Sequence, residues 1–279
     1  MLEIINLSKW KRRRKILDDI NLKIPKGIYG ITGPNGAGKT TLLSILASAD
    51  TFSSGEIKYN GVSANKDRLR NLVGYLPQHF SMYSQLTVLE ALKHLSFLKG
   101  VRYSTKELIH VLSKVNLDQH INQRIAHISG GMLRRLGIAQ AILGDPEILI
   151  IDEPTSGLDV EEKIRFRNLI KSLVDDRTII LSSHDLNELE SVSDHFAILK
   201  DGKILLHGDL KGIMKAKPNV LLVRVKSEEL NDYFEKYQVT SFKKINATSF
   251  ELRVLTDESL DGGVAVTPTL EECYISIIS

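Results

Sequence analysis

The chain has 279 residues, 42% of them hydrophobic and 25% charged, with a formal net charge of +3 and a single cysteine, Cys273. That length suffices for a large domain, alone or with an appendage, without disulfide or metal staples, and one cysteine excludes an internal disulfide. The charge is too mild to argue for nucleic acid or anionic lipid, and no run approaches the ~18 apolar residues of a membrane span.

Met1-Leu2-Glu3 opens without the basic segment and apolar run of a secretory leader, so none is expected. Leu2 and Ile4, then Ile20, Leu22 and Ile24, alternate with polar residues, which predicts antiparallel strands. Ile28–Thr32 is a short apolar run suited to a strand buried on both faces. The loop Gly33-Pro34-Asn35-Gly36-Ala37-Gly38-Lys39-Thr40 follows, and a helical pattern covers Thr40–Ala49. Gly55–Tyr59 running into Asn60-Gly61 predicts a tight hairpin, because Asn-Gly tolerates positive φ at both positions. Residues 79–127 read as a helical insertion, with capping boxes at Thr87/Glu90 and Ser104/Glu107.

Helical patterns over Met132–Leu143 and Glu161–Val174 alternate with apolar runs at Ile148–Ile151 and Thr178–Ser182, which argues for an α/β core. Phe196–Lys200, Asp201-Gly202 and Lys203–His207 predict a second hairpin. Composition changes near Lys211–Pro218. Beyond it, Val220–Val225 and Phe250–Leu255 read as strands and Glu228–Tyr237 as a helix with Leu230, Tyr233 and Phe234 on one face. Thr269 is placed to cap a last helix, with Glu272 as its box partner. The expected division is a main domain over 1–217 and a small α+β accessory domain over 218–279.

The glycine-rich loop matches the pattern G-x-x-x-x-G-K-[ST] in the order the motif requires, strand, loop, helix. Its glycines let the backbone wrap phosphate oxygens, and the helix N-terminus adds partial positive charge. Lys39 is then placed for the β- and γ-phosphates and the Thr40 hydroxyl for Mg²⁺. Kinases, GTPases and transporters share such a loop, so it does not choose among them.

Ile148–Ile151 ends in Asp152 and Glu153, at the strand edge where ligands of open parallel sheets lie. Successive side chains point different ways, so Asp152 can hold Mg²⁺ through water while Glu153 orients and deprotonates the attacking water. Gln78, in Tyr75-Leu76-Pro77-Gln78, and His184, in Ser182-Ser183-His184, are weak signals singly. A lone histidine after a strand is more often structural, yet His184 reaches the same sheet edge as Glu153 and can contact a γ-phosphate. Gln78 can complete the Mg²⁺ shell. Ser129-Gly130-Gly131 opens a helix: Ser129 is either a plain cap or part of a second anion site at that helix end. Two such helix ends for one nucleotide suggest that each serves a different copy of the chain.

Taken together, these residues resemble an ABC ATPase. GPNGAGKTT, the glutamine of YLPQ, ISGGM (family form LSGGQ), ILIIDEP, SGLD and the SSH histidine stand in family order over roughly residues 2–212. The resemblance implies a P-loop NTPase cassette with an N-terminal antiparallel β subdomain, a helical insertion, and ATP and Mg²⁺ as ligands. It makes Gly33, Pro34, Asn35, Gly36, Ala37, Gly38, Lys39, Thr40 and Thr41 the phosphate cradle. Two subunits, this chain with a second copy or a homologous ATPase subunit, are expected head to tail. Ser129, Gly130 and Gly131 of one would close on ATP held by Lys39 of the other, with Asp159 in the crossing loop.

An integral membrane permease is the other implied partner, contacting a groove near Gln78 and the stretch Phe80–Val88 at the cytoplasmic face of the cell membrane; no nucleic acid is expected. The wording of GIYGITGPNGAGKTTLLSILA and RRLGIAQAILGDPEILIIDEP is similar to separate ATPase subunits of bacterial peptide and antibiotic exporters. Pro268-Thr269-Leu270-Glu271 resembles the last helix of such subunits.

Three positions depart from the family. Met132 replaces the signature glutamine, Lys11 stands where the adenine-stacking aromatic is expected with Trp10 one residue away, and Arg12–Lys15 read as a solvated basic turn in preference to a nucleotide or lipid contact. A soluble relative acting on ribosomes or DNA would carry two cassettes, where this chain has one, or a long coiled coil, for which the Lys39–Asp152 interval leaves no room. A P-loop kinase or motor does not explain Ser129–Gly131 together with His184.

Overall fold

The structure, a computed structural model, describes residues 1–175, 177–216 and 219–278. Strands β1 (Leu2–Lys11) and β2 (Arg14–Ile24) pair antiparallel, with Leu2 opposite Ile24 and Ile4 opposite Leu22, so their alternating apolar side chains share one buried face. β4 (Ser54–Tyr59) takes the other edge of β1, and β5 (Val62–Ser63) completes a sheet of order β2-β1-β4-β5. Asn60 and Gly61 turn between β4 and β5 with φ of 51° and 75°, as the hairpin reading requires.

A second sheet holds β3 (Gly27–Thr32), β6 (Val73–Leu76), β7 (Ile148–Asp152), β8 (Thr178–Ser182), β9 (His195–Lys200) and β10 (Lys203–Asp209) in the order β10-β9-β3-β8-β7-β6. From β9 to β6 every neighbouring pair is parallel. All residues of β7 and β8 are buried, the environment that an unbroken apolar run predicts. Helices α1 (Lys39–Leu46), α2 (Lys66–Leu72), α6 (Val160–Ser172) and α7 (Leu186–Val192) lie along the chain between these strands. The parallel arrangement aims the ends of β3, β6, β7 and β8 at one edge, where ligands of such sheets bind.

The insertion contains α3 (Val88–Leu98) and α4 (Thr105–Lys114), and α5 (Gly130–Ala141) leads back to β7. Both expected capping boxes are made: the Glu90 carboxylate accepts from Thr87 N at 2.8 Å and the Glu107 carboxylate from Ser104 N at 2.6 Å. α5 is anchored to the end of β6, because Gln140 Nε2 donates to Tyr75 O at 2.6 Å and the Arg134 guanidinium donates to the carbonyls of Pro77 and Gln78. Among the described residues no helix is long and apolar enough to cross a membrane.

Residues Gly208–Ser279 form a second compact unit. The boundary expected at 217/218 lies outside the described residues. The division falls earlier, after His207, because α8 (Leu210–Ala216) packs on the last helix, α10 (Leu270–Ile278). In this unit β11 (Val220–Lys226), β12 (Gln238–Lys244), β13 (Ser249–Leu255) and β14 (Val264–Val266) form an antiparallel sheet of order β12-β13-β11-β14. Its core is Val223, Val225, Leu252 and Val254, against which Leu230 and Tyr233 of α9 (Leu230–Lys236) pack. Phe234 does not join them as expected. It is 45% exposed, its ring edge-on to Phe242 at 5.6 Å, because that face of α9 turns past the core.

The Thr269–Glu272 capping box is present and extended. Glu272 accepts from Thr269 N at 2.8 Å, from Arg253 Nε at 2.7 Å and from the Thr240 hydroxyl at 2.7 Å. Burial alone would raise the Glu272 carboxyl, but Arg253, the Thr269 N–H and Thr240 together hold it down to about 2, from an ordinary 4.5. A depressed carboxyl stabilises the fold above its unfolded value, and the contribution is lost as pH falls from 4.5 towards 2. Arg253→Ala strands a nearly buried carboxylate and should destabilise this unit by about 3 kcal/mol at neutral pH. Thermal unfolding followed against pH checks this: the gap from the wild type should narrow as Glu272 protonates in acid.

Candidate active site

The glycine-rich loop connects β3 to α1 by a path that side chains would block. A Cβ on Gly33 would stand 1.9 Å from the Leu199 carbonyl oxygen, so the loop can lie this close to β9 only with glycine there. Gly38 is the N-cap of α1 in a left-handed conformation, φ 109°, and no side chain caps that helix. Its first N–H groups therefore remain available to an anion. Lys39, the first residue of α1, is buried, and its Nζ donates to the carbonyls of Gly33 at 2.8 Å and Pro34 at 3.2 Å. Burial pulls the Lys39 ammonium below its ordinary value, and the Glu153 and Asp152 carboxylates oppose that.

Those carboxylates end β7 with different surroundings. Asp152 is fully buried; Oδ1 accepts from the Ser182 hydroxyl at 2.5 Å, and Oδ2 has no partner among the described residues. Glu153 turns out of the strand with φ 43°, its N–H donating to Ser182 O at 3.2 Å and to Ser182 Oγ at 3.0 Å. Glu153 Oε2 accepts from Gln78 Nε2 at 3.1 Å and lies 3.4 Å from His184 Nδ1. Side chains from the ends of β6 and β8 thus meet on the carboxylate that follows β7.

They face a cleft of about 720 Å³ whose lining includes Asn35, Gly36, Gly38, Lys39, Thr40, Thr41, Gln78, Glu153 and His184. A cradle of free N–H groups, a lysine, a hydroxyl and two carboxylates is the equipment for binding a polyphosphate and activating water beside it. Residues 17–156 match the family described as ABC transporter. The chain belongs to that family.

This ABC cassette is 33% identical along its whole length to the uncharacterized ABC transporter ATP-binding protein YxlF of Bacillus subtilis, covering 99% of that protein. It is 36% identical to the lantibiotic transport ATP-binding protein SrtF of Streptococcus pyogenes, over 76% of this chain and 92% of the other. Its structure is similar to that of a dimeric bacterial ABC transporter cassette, with a TM-score of 0.67 and 27% identity, covering 75% of this chain and 99% of that one. The cassette is an ATPase and the ATP-binding subunit of an ABC transporter.

Other expected residues lie outside the cleft lining. Trp10 is one: it is 51% exposed, with Lys15 Nζ 5.7 Å above its ring, at a point where the pairing of β1 with β2 is irregular, while Lys9 and Lys11 on either side line the cleft. Ser129 and Asp159 both act as helix N-caps, accepting from Met132 N at 3.1 Å and Glu162 N at 2.8 Å. Gly130 is open, with nothing within 4 Å of where a Cβ would be. Against Gly131 packs the Glu162 carboxylate, which also lies 3.7 Å from Arg135. Ile16 and Asp50 line the cleft without any motif having marked them, and so do Arg14, from the run read as a solvated basic turn, and Ser156, the first residue of SGLD. The signal for Ile16 and Arg14 was their two-residue spacing at the start of β2.

Proposed function

We propose that the cassette holds ATP with its phosphates on the loop Gly33–Thr41 and hydrolyses it with Glu153 as general base. Pairing with a second copy or a homologous ATPase subunit, with ATP between them, would then drive export through a separate integral membrane permease at the cytoplasmic face of the cell membrane. One observation carries the reading: a partly exposed carboxylate, Glu153, is held by Gln78 and His184 directly beside a buried one, Asp152, with an oxygen to spare.

That spare oxygen is also the test of fit for Mg²⁺. Asp152 Oδ2 is buried and unpartnered, and the Thr40 hydroxyl and Gln78 amide stand in the same cleft. Such a set, one carboxylate and neutral oxygens, suits a small hard cation that keeps waters and takes its other ligands from phosphate. When bound, Mg²⁺ would neutralise charge on the β- and γ-oxygens.

The loop N–H groups and Lys39 orient the γ-phosphate. Glu153 takes a proton from water as the water oxygen bonds to the γ-phosphorus and the bond to the β–γ bridging oxygen breaks, releasing ADP. His184 contacts the γ-phosphate. Ser129, Gly130 and Gly131 close on the nucleotide of the paired subunit beside Asp159, and ATP acts by binding the closed pair better than the open one. The likeness to a lantibiotic transport ATP-binding protein supports export. Gly208–Ser279, the second compact unit, serves as an accessory domain to the cassette.

Mass in solution tests the pairing. Saturating ATP, with hydrolysis blocked by withholding divalent cation, should double the molecular mass measured by light scattering. A chain that stays monomeric there, even beside its membrane partner, removes the sandwich from the mechanism.

A further inference from the structure

The cleft has a second wall to which hydrolysis assigns nothing. At one end stand Lys39, Thr40, Gln78 and Glu153; the rest of the lining includes Lys9, Lys11, Arg14, Ile16 and Asp50. With the phosphates at the first end, the nucleoside is left to the β1–β2 wall. Among the described residues no Phe, Tyr or Trp lines the cleft, Trp10 included.

The cations of this wall differ in what they are free to do. Lys9 is tied to Asp50 at 2.7 Å and to the Thr51 carbonyl. Lys15 is paired with Asp18, and Lys11 sits in the field of Asp50. The Arg14 side chain is exposed and makes no hydrogen bond or ion pair with any described residue. Arg14 opens β2 two residues before Ile16, so the two share a strand face, and both line the cleft. A guanidinium is planar, weakly hydrated and stacks on aromatic faces, which the compact ammonium of lysine cannot do.

We infer that Arg14 is the base-stacking residue of the nucleotide site, its guanidinium plane and the neighbouring Ile16 taking the purine where an aromatic ring is absent. The inference deepens the reading of this cleft as an ATP site and rests on it. Recognition of this kind uses the π-face of the base and not its edge, so it selects for ring area.

The experiment is equilibrium binding of ADP and of inorganic pyrophosphate to the full chain and its variants. Arg14→Ala and Arg14→Lys should each weaken ADP binding ~10-fold and leave pyrophosphate unchanged, and Arg14→Tyr should restore ADP affinity. Three results would overturn the assignment: unchanged ADP affinity in Arg14→Ala, wild-type affinity in Arg14→Lys, or an equal loss for pyrophosphate, which would make Arg14 a phosphate contact. Lys39→Ala keeps the two levels apart. Wild-type ADP affinity in that variant sinks the phosphate reading underneath, whereas a failure confined to the Arg14 series sinks only the stacking.

Discussion

Glu153→Gln should bind ATP as the wild-type cassette does and turn it over about 10²–10⁴-fold more slowly. Glutamine keeps the size of the side chain and an oxygen for Gln78 Nε2, now 3.1 Å from the carboxylate. What it lacks is the ability to take a proton from the attacking water. Affinity should survive because the phosphate contacts belong to the loop and Lys39. Nucleotide that is bound but not consumed leaves the pair closed, so the doubled mass should persist with Mg²⁺ present, where the wild type returns to monomer. Phosphate release and light scattering read the two effects separately. Wild-type turnover would remove Glu153 from its role; loss of ATP binding would make it a nucleotide-holding residue instead.

Lys39→Ala should weaken ATP binding by about 100-fold or more. Two hydrogen bonds from a charged group are worth ~1.5–3 kcal/mol each, and each 1.4 kcal/mol is about tenfold in affinity. A second effect has the same sign. Lys39 sits in the field of the Glu153 and Asp152 carboxylates, and without its charge both repel the incoming phosphate. Thermal melts with and without ATP measure the result, since a ligand that binds only the folded state raises its stability by an amount set by concentration over Kd. The ATP-dependent rise seen for the wild type should vanish at the same concentration. An unchanged rise counts against the loop as the phosphate site.

Features legible in the sequence are those whose cause lies within a few residues. Asn60-Gly61 and Asp201-Gly202 both adopt positive φ, because the side chains on either side of such turns do not alter what those two residues tolerate. The Thr87, Ser104 and Thr269 boxes formed for the same reason: each is a reciprocal bond across three positions. Strand β6 escaped notice, since four residues carry no period, and it is buried by neighbours such as Gln140 that arrive from α5. β12 escaped because most of its residues are exposed and polar, held in the sheet by pairing to β13.

The chemistry of the site was written in the order of the chain: a loop that can wrap an anion, a helix opening on Ser-Gly-Gly, a strand ending in two carboxylates. Those properties belong to the residues and the turns between them. Which partners meet is a matter of strand pairing. Gln78 reaches Glu153 across 75 positions only because β6 and β7 run parallel and end together. The wall opposite the phosphates follows from strand pairing in the same way. The pairing of β1 with β2 is irregular between Lys9 and Trp10, and the folded strand brings Lys9 and Lys11 to the cleft lining but not Trp10.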